Sequence, residues 1–190
     1  MEKLLIAIIA VMLLGCSAAG VPYTSNPNTK LSYAYQLKNT EGRGLAAEKL
    51  GLEALSSFKA QNDNYGVAEA HIFLGLFYKN SAYRYHKEFY ISQGEYDPTA
   101  SKSISHLQKA KDAFILEGDY WGVSKALFVM GNSYASDNDY INSCKYFKES
   151  LKVYKSDKNI FTGRVHPHNP KYESFESMVT EFKDYACQKI

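Results

Sequence analysis

The side chains able to do chemistry in this 190-residue chain are three cysteines, five histidines and an acidic turn. Cys144 and Cys187 could join as a disulfide in an oxidising compartment, or stay as two buried thiols too far apart to meet. Cys16 is placed differently, directly after the apolar run Leu4 to Leu14 and Gly15, which ties its chemistry to processing of the chain end. His166-x-His168 could set two imidazoles on one metal. A zinc site needs a third or fourth ligand, though, and only Glu173 is close in sequence, so a solvated loop is the simpler reading. Asp137-Asn138-Asp139 offers calcium-type oxygens but lacks the loop glycine, and Lys148 stands where the twelfth-place Glu should be; helix capping explains it better. His71, His86 and His106 fall singly on helical segments and read as packing or surface. There is no phosphate-binding glycine loop, Gly-x-Ser-x-Gly, His-Glu-x-x-His or Cys-x-x-Cys, so no enzyme, cofactor or metal is expected.

Met1, Glu2 and Lys3 followed by eleven apolar residues make a secretory signal. Eleven helical residues rise about 16 Å, roughly half a bilayer core, which argues against a spanning anchor. Leu13-Leu14-Gly15-Cys16 resembles the lipobox of bacterial lipoproteins. The resemblance implies a signal peptide over 1–15, cleavage after Gly15 and several acyl chains (palmitate among them) on Cys16, enough for stable membrane anchoring. Ser17, rather than Asp, then implies the outer membrane, with the body facing the periplasm. The alternative is an ordinary cleaved signal with Cys16 incidental. Residues 16–29, with Pro22 and Pro27, read as a lipidated cysteine and flexible linker, its thirteen residues from Ser17 to Thr29 reaching about 20 Å. With Cys16 set aside for lipid, Cys144 and Cys187 remain as a pair.

Cleavage would remove one acid and one base and leave the formal net charge at +2. Arginine occurs only at Arg43, Arg84 and Arg164 with no basic run, so a nucleic-acid partner is not expected. The sixteen tyrosines suit interfaces or helix packing equally.

Sliding the chain against itself by 56 residues gives an internal echo. Phe58, Asp63, Gly66, Val67, Ala70, Gly75 and Tyr78 fall on Phe114, Asp119, Gly122, Val123, Ala126, Gly131 and Tyr134. Such self-similarity marks stacked supersecondary units. Leu127, Met130, Gly131 and Tyr134, then Ile141, Cys144, Phe147, Leu151 and Tyr154, have helical spacing around the turn Ser136 to Asp139, which predicts a helical hairpin. A second hairpin follows from His71, Leu74, Gly75 and Tyr78 with Ser103, Leu107 and Ala110. A degenerate one runs from Leu31 to Leu37 and through Ala47, Gly51 and Ala54.

The order Leu127, Met130, Gly131, Tyr134, Ser143, Phe147, Ser150 resembles the tetratricopeptide repeat (TPR). The resemblance implies an all-α, right-handed α-α superhelix with about three hairpins over 30–156. A loop over 157–171 and a capping helix over 172–190, built on Phe175, Met178, Val179, Phe182 and Ala186, would complete it. It further implies a groove lined by the first helices, here Glu69, Ile72, Leu76, Lys79, Asn80, Lys125, Phe128, Asn132 and Ser136. Phe73 and Val129 stand where the polar residues of chaperone-type carboxylate clamps would be, so that mode is not expected. Sixteen extra residues near 81–99 carry Tyr83, Tyr85, Phe89, Tyr90 and Tyr96. They could lengthen both helices by about two turns, loop out as a partner-binding arm, or cover the first or third hairpin. The function expected is that of an outer-membrane adaptor or assembly factor that binds and positions another envelope protein. The alternative is a lipid-anchored immunity protein that neutralises a toxin acting in the periplasm.

Overall fold

The computed structural model describes residues 21–159 and 170–190. The signal segment, Cys16, His166 and His168 lie outside the described residues.

Those residues form an all-α stack. Helices α1 (Pro27–Leu37) and α2 (Gly44–Ala60) make the first hairpin. Helices α3 (Asn64–Tyr78) and α6 (Ser101–Leu116) make the second, and α7 (Tyr120–Ser136) and α8 (Tyr140–Tyr154) the third. The short helices α4 (Ser81–Tyr85) and α5 (Lys87–Ser92) interrupt the second hairpin, and α9 (Phe175–Cys187) packs on α8. Among the described residues no helix is long and apolar enough to cross a membrane.

The 56-residue echo marks physically equivalent places. The turns before α3, α7 and α8 each put one residue at positive φ, Asn62, Gly118 and Asn138, immediately before an aspartate. The aspartates then cap the helices: Asp63, Asp119 and Asp139 accept from the amides of Gly66 (2.8 Å), Gly122 (2.9 Å) and Asn142 (3.0 Å). Capping is thus the role of the Asp137-Asn138-Asp139 turn, and Asp137 also accepts from the Ala100 amide at 2.6 Å, at the start of α6.

Glycine sets how closely the helices approach. A Cβ on Gly75 would lie 2.6 Å from Leu107 Cγ, and one on Gly131 would lie 2.6 Å from Phe147 Cδ1, so each hairpin seats a large side chain of its second helix in a notch of its first. Between hairpins the notch recurs: Gly66 receives the Phe58 ring and Gly122 the Phe114 ring. Small polar residues fill the remaining contacts. Ser103 Oγ donates to the Gly75 carbonyl at 2.7 Å, and Ser124 and Ser150 each donate to the other's carbonyl at 2.8 Å.

At the C-terminal end, α9 starts with a capping box formed by Ser174 and Ser177. It buries Val179 and Ala186 against α8, and the Cys144–Cys187 disulfide joins the two helices with Cα atoms 5.0 Å apart. Lys155 adds an exposed ion pair to Glu176 at 2.6 Å, worth little by itself.

The insertion neither extends its flanking helices nor projects as an arm. It folds back as α4 and α5 over the first hairpin, in a core shared with Leu37, Ala47 and Phe77. Tyr83 and Tyr90 are each 1% exposed. Tyr90 Oη donates to Glu48 Oε2 at 2.5 Å and Tyr78 Oη to Glu48 Oε1 at 2.6 Å, so one carboxylate of α2 holds both the end of α3 and the insertion. Burial first, then the Glu48 carboxylate, pushes both phenols above their ordinary range. Lys102 lies over the rings of Tyr78 (5.0 Å), Tyr83 (5.6 Å) and Tyr90 (5.7 Å) and closes the cluster from α6. Tyr90→Phe removes one charge-assisted hydrogen bond while leaving the ring, so a loss of about 1–2 kcal/mol is expected in urea unfolding. A loss below about 0.3 kcal/mol would place the insertion outside the cooperative fold.

Candidate protein-binding face

The first helices of the three hairpins, α1, α3 and α7, lie side by side, and most of the sequence-predicted groove residues map to α3 and α7. Tyr35 of α1 meets Phe73 of α3 edge-on at 5.0 Å. Glu69 of α3 and Lys125 of α7 form a two-pronged ion pair, Nζ to both carboxylate oxygens at 2.9 Å. Their side chains are 20% and 22% exposed, so the pair is screened less than a surface bridge and ties the second hairpin to the third. The Lys125 ammonium also lies 5.9 Å from the Trp121 ring.

The other predicted contact residues divide. Leu76 and Lys79 are half-buried on this face. Ile72 is 0% exposed among Ala68, Leu107 and Met130, which corrects its assignment to a binding surface: it is core. Phe128 packs on Phe147 (5.6 Å), Phe175 (5.8 Å) and Phe182 (5.4 Å), so α9 covers much of the third-hairpin end of the face. Three polar residues are engaged locally. Asn80 caps α4, accepting from the Ala82 amide at 2.9 Å; Asn132 Nδ2 donates to the Phe128 carbonyl at 3.1 Å; Ser136 Oγ donates to the Ser133 carbonyl at 2.7 Å. Ser136 is exposed nonetheless.

For the insertion residues, Tyr83 and Tyr90 are corrected from partner contacts to core, because their rings fill the space above Phe77 and Tyr78. Tyr96 is half-buried and stacks on Tyr83 at 5.4 Å. Tyr85 and Phe89 stay at the surface, 63% and 48% exposed.

Sequence reasoning missed Lys38, the residue that ends α1, because the first hairpin carries too little of the repeat pattern to align its face. Lys38 extends over the Tyr35 ring at 5.4 Å, and burial holds its ammonium below the ordinary lysine range. Lys79 ends α3 in the equivalent way, and burial, then the charge of Lys38, bring it down to about 8. No carboxylate among the described residues pairs with either lysine.

A second cluster missed in the sequence joins His71 of α3 and His106 of α6, Nδ1 to Nδ1 at 2.9 Å. Two neutral rings serve this geometry, one Nδ1–H donating to the other's lone pair. Burial comes first, with His106, Lys59 and Lys109 adding charge repulsion, and lowers His71 from 6.5 to about 3. Burial with Lys109, Lys102 and Lys59 lowers His106 from 6.5 to about 4, and the Tyr78 ring lies 5.3 Å from it. The unfolded chain takes up these protons near pH 6.5, whereas the folded chain does not. The pair's contribution is therefore complete above about pH 6.5 and is lost as pH falls from there towards 4. The expected loss between pH 7 and 4 is on the order of 3 kcal/mol more for the natural chain than for His71→Gln/His106→Gln. Equal pH slopes in urea titrations would contradict the pair.

Three or more histidine, cysteine or acidic side chains do not converge on a metal position among the described residues. No family model matches the chain, and no curated protein and no solved structure matches it.

Proposed function

We propose that this chain is a lipid-anchored TPR-type adaptor of the bacterial envelope, which holds another polypeptide on the face formed by α1, α3 and α7. One observation carries the reading: these helices are braced edge to edge by Tyr35–Phe73 and Glu69–Lys125, while Leu76, Lys38 and Lys79 remain half-buried along them. A braced face with apolar and charged groups left over suits a polypeptide better than a small substrate, because binding adds contacts without reordering the scaffold. The lipobox resemblance at Leu13 to Cys16 supports the anchor, and the outer membrane and periplasm follow from Ser17. The disulfide agrees with an oxidising compartment.

The test is affinity capture from crosslinked envelopes, comparing the natural chain with Leu76→Ala/Lys125→Ala and with Cys16→Ala. The reading expects a discrete partner that is lost with Leu76→Ala/Lys125→Ala. It also expects palmitate labelling that is lost with Cys16→Ala. Identical capture by all three chains would overturn the face, and equal labelling of Cys16→Ala would overturn the anchor. A captured toxin, with loss of the chain lethal only when that toxin is made, would turn the reading to an immunity protein.

A further inference from the structure

The two ends of the stack differ. The chain enters at the first hairpin and α9 closes the third, so the end that leads back to Cys16 lies opposite the end held by the disulfide. Val21 packs on the core of the first hairpin, the same core that takes Tyr83 and Tyr90 of the insertion. Asn26 then caps α1, and Pro27 is buried. Five Cα steps separate Cys16 from Val21, and fully extended they span about 18 Å. A lipid on Cys16 therefore keeps Val21, and with it this end of the stack, within about 18 Å of the headgroups, whatever path the intervening residues take.

The insertion supplies the apolar surface of that end. Successive helical residues point about 100° apart, so when Tyr90 turns into the core its neighbours Phe89 and Ile91 turn out on either side of it. Both are exposed, as is Tyr85 of α4. Their base is fixed: Tyr90 is tied to Glu48, and the Tyr83 hydroxyl donates to the Glu95 carbonyl at 3.3 Å and accepts from the Asp97 amide at 2.8 Å. Packing accounts for Tyr83 and Tyr90 but gives no role to Phe89 and Ile91. A short helix that is apolar inward and outward, with its inward side already filled, has an outer side suited to an apolar cover. Charge narrows what that cover is. Arg84 and Lys87 are exposed beside these side chains, against Glu88 as the one carboxylate between Ser81 and Ser92.

We infer that the outer side of the insertion, Tyr85, Phe89 and Ile91, rests on the bilayer that holds the lipid of Cys16, with Arg84 and Lys87 among anionic phospholipid headgroups. The inference rests on the lipid-anchor part of the proposed function and deepens it: the first hairpin is seated on the membrane instead of swinging below it. Aromatic rings suit the headgroup boundary, and a few apolar side chains hold a membrane only marginally by themselves, so this surface acts where a lipid keeps it close. Seated this way, the third hairpin and α9 stand away from the bilayer, and the face on α1, α3 and α7 runs outward from it.

The test uses the mature chain from Cys16 with its disulfide intact, coupled through Cys16 to a maleimide lipid in vesicles of phosphatidylethanolamine and phosphatidylglycerol, with and without brominated acyl chains. Trp121 is the one tryptophan, so Phe89→Trp and Ile141→Trp, each combined with Trp121→Phe, give single reporters on the insertion and on α8. On brominated lipid, Phe89→Trp is expected to lose most of its emission and to shift to shorter wavelength, and Ile141→Trp to change little. Adding Tyr85→Ser/Ile91→Ser, or Arg84→Gln/Lys87→Gln, to the Phe89→Trp chain weakens the quenching. Emission at position 89 that brominated lipid leaves unchanged, or equal quenching at 89 and 141, would overturn the proposal. A photo-crosslinking side chain at position 89 that captures a polypeptide instead of lipid in the envelope would also overturn it and give the surface to a protein partner. The maleimide lipid supplies the tether whether or not cells acylate Cys16. Palmitate labelling that is lost with Cys16→Ala, together with an unquenched position 89, refutes the docking alone; quenching at 89 with equal labelling refutes the anchor alone.

Discussion

Reduction of the Cys144–Cys187 disulfide, or its removal in Cys187→Ser, is expected to cost roughly 4 kcal/mol in urea unfolding, because the bond closes 43 residues of otherwise free chain in the unfolded state. The loss falls on the end of the stack. Helix α9 keeps its apolar stripe, with Val179 and Ala186 fully buried and Phe182 against Phe128 and Phe147, so it is expected to stay docked while opening far more often. Hydrogen exchange would locate the effect: faster exchange confined to α8 and α9 fits the placement, whereas uniform acceleration would mean that the stack unfolds as one unit. An unchanged midpoint after reduction would show that the bond adds nothing to the native state. Because α9 also covers Phe128, reduction opens the third-hairpin end of the candidate face. The disulfide is in that sense a brace for the face as well as a staple for the chain.

Phe114→Ala is expected to lose about 3–5 kcal/mol, a large share of the 5–15 kcal/mol that holds a typical domain together. Its ring is 0% exposed and lies against the bare Cα of Gly122, where the second hairpin hands over to the third. Phe58→Ala should lose a similar amount, since Phe58 is also 0% exposed and meets Gly66 in the same way one repeat earlier. The notch makes a sharper prediction. Gly122→Ala alone overpacks the contact and costs about 1–3 kcal/mol, but in the Phe114→Ala background the added methyl enters the cavity and costs much less. A double-mutant coupling near zero would mean that ring and glycine do not share the space that the geometry assigns to them. Losses that differ several-fold between Phe58→Ala and Phe114→Ala would contradict the equivalence of the two repeats.

Much of this architecture could be read from residue spacing, for a physical reason. Glycine beside a large ring, aspartate at a helix start and apolar residues at three- and four-residue steps are local requirements of helix packing, and each leaves a mark on the chain. Gly75 with Leu107 and Gly131 with Phe147 were legible as the small-against-large order that lets two helices close. The fate of the insertion was not. Tyr83 and Tyr90 look like exposed aromatics in a linear reading, but Tyr90 finds its acceptor in Glu48, 42 residues upstream, and Tyr83 turns in against Phe77 and Tyr78 with its hydroxyl donating to the Glu95 carbonyl. His71 and His106 illustrate the same limit, being 35 residues apart with the insertion between them, so nothing local announces the pair. Lys38 escaped because the first hairpin meets its neighbours through Leu31, Ala34 and Leu37, apolar contacts that need no repeat motif.

The helix positions of the proposed face were legible. Aligning α3 with α7 puts Glu69, Leu76, Lys79 and Lys125 at matching positions of the two repeats, because the echo fixes which positions are equivalent. It also picked Ile72 and Phe128, since the alignment gives the direction of a position on its helix but not what packs above it. The core takes Ile72, and α9 largely takes Phe128.

A photo-crosslinking side chain placed at Leu76, half-buried on α3, and separately at Ile141, 70% exposed on α8, tests the central claim most directly in the full chain. A polypeptide held across α1, α3 and α7 predicts one discrete adduct from position 76 and none from position 141. The same adduct from both positions, or an adduct from position 141 alone, would contradict it.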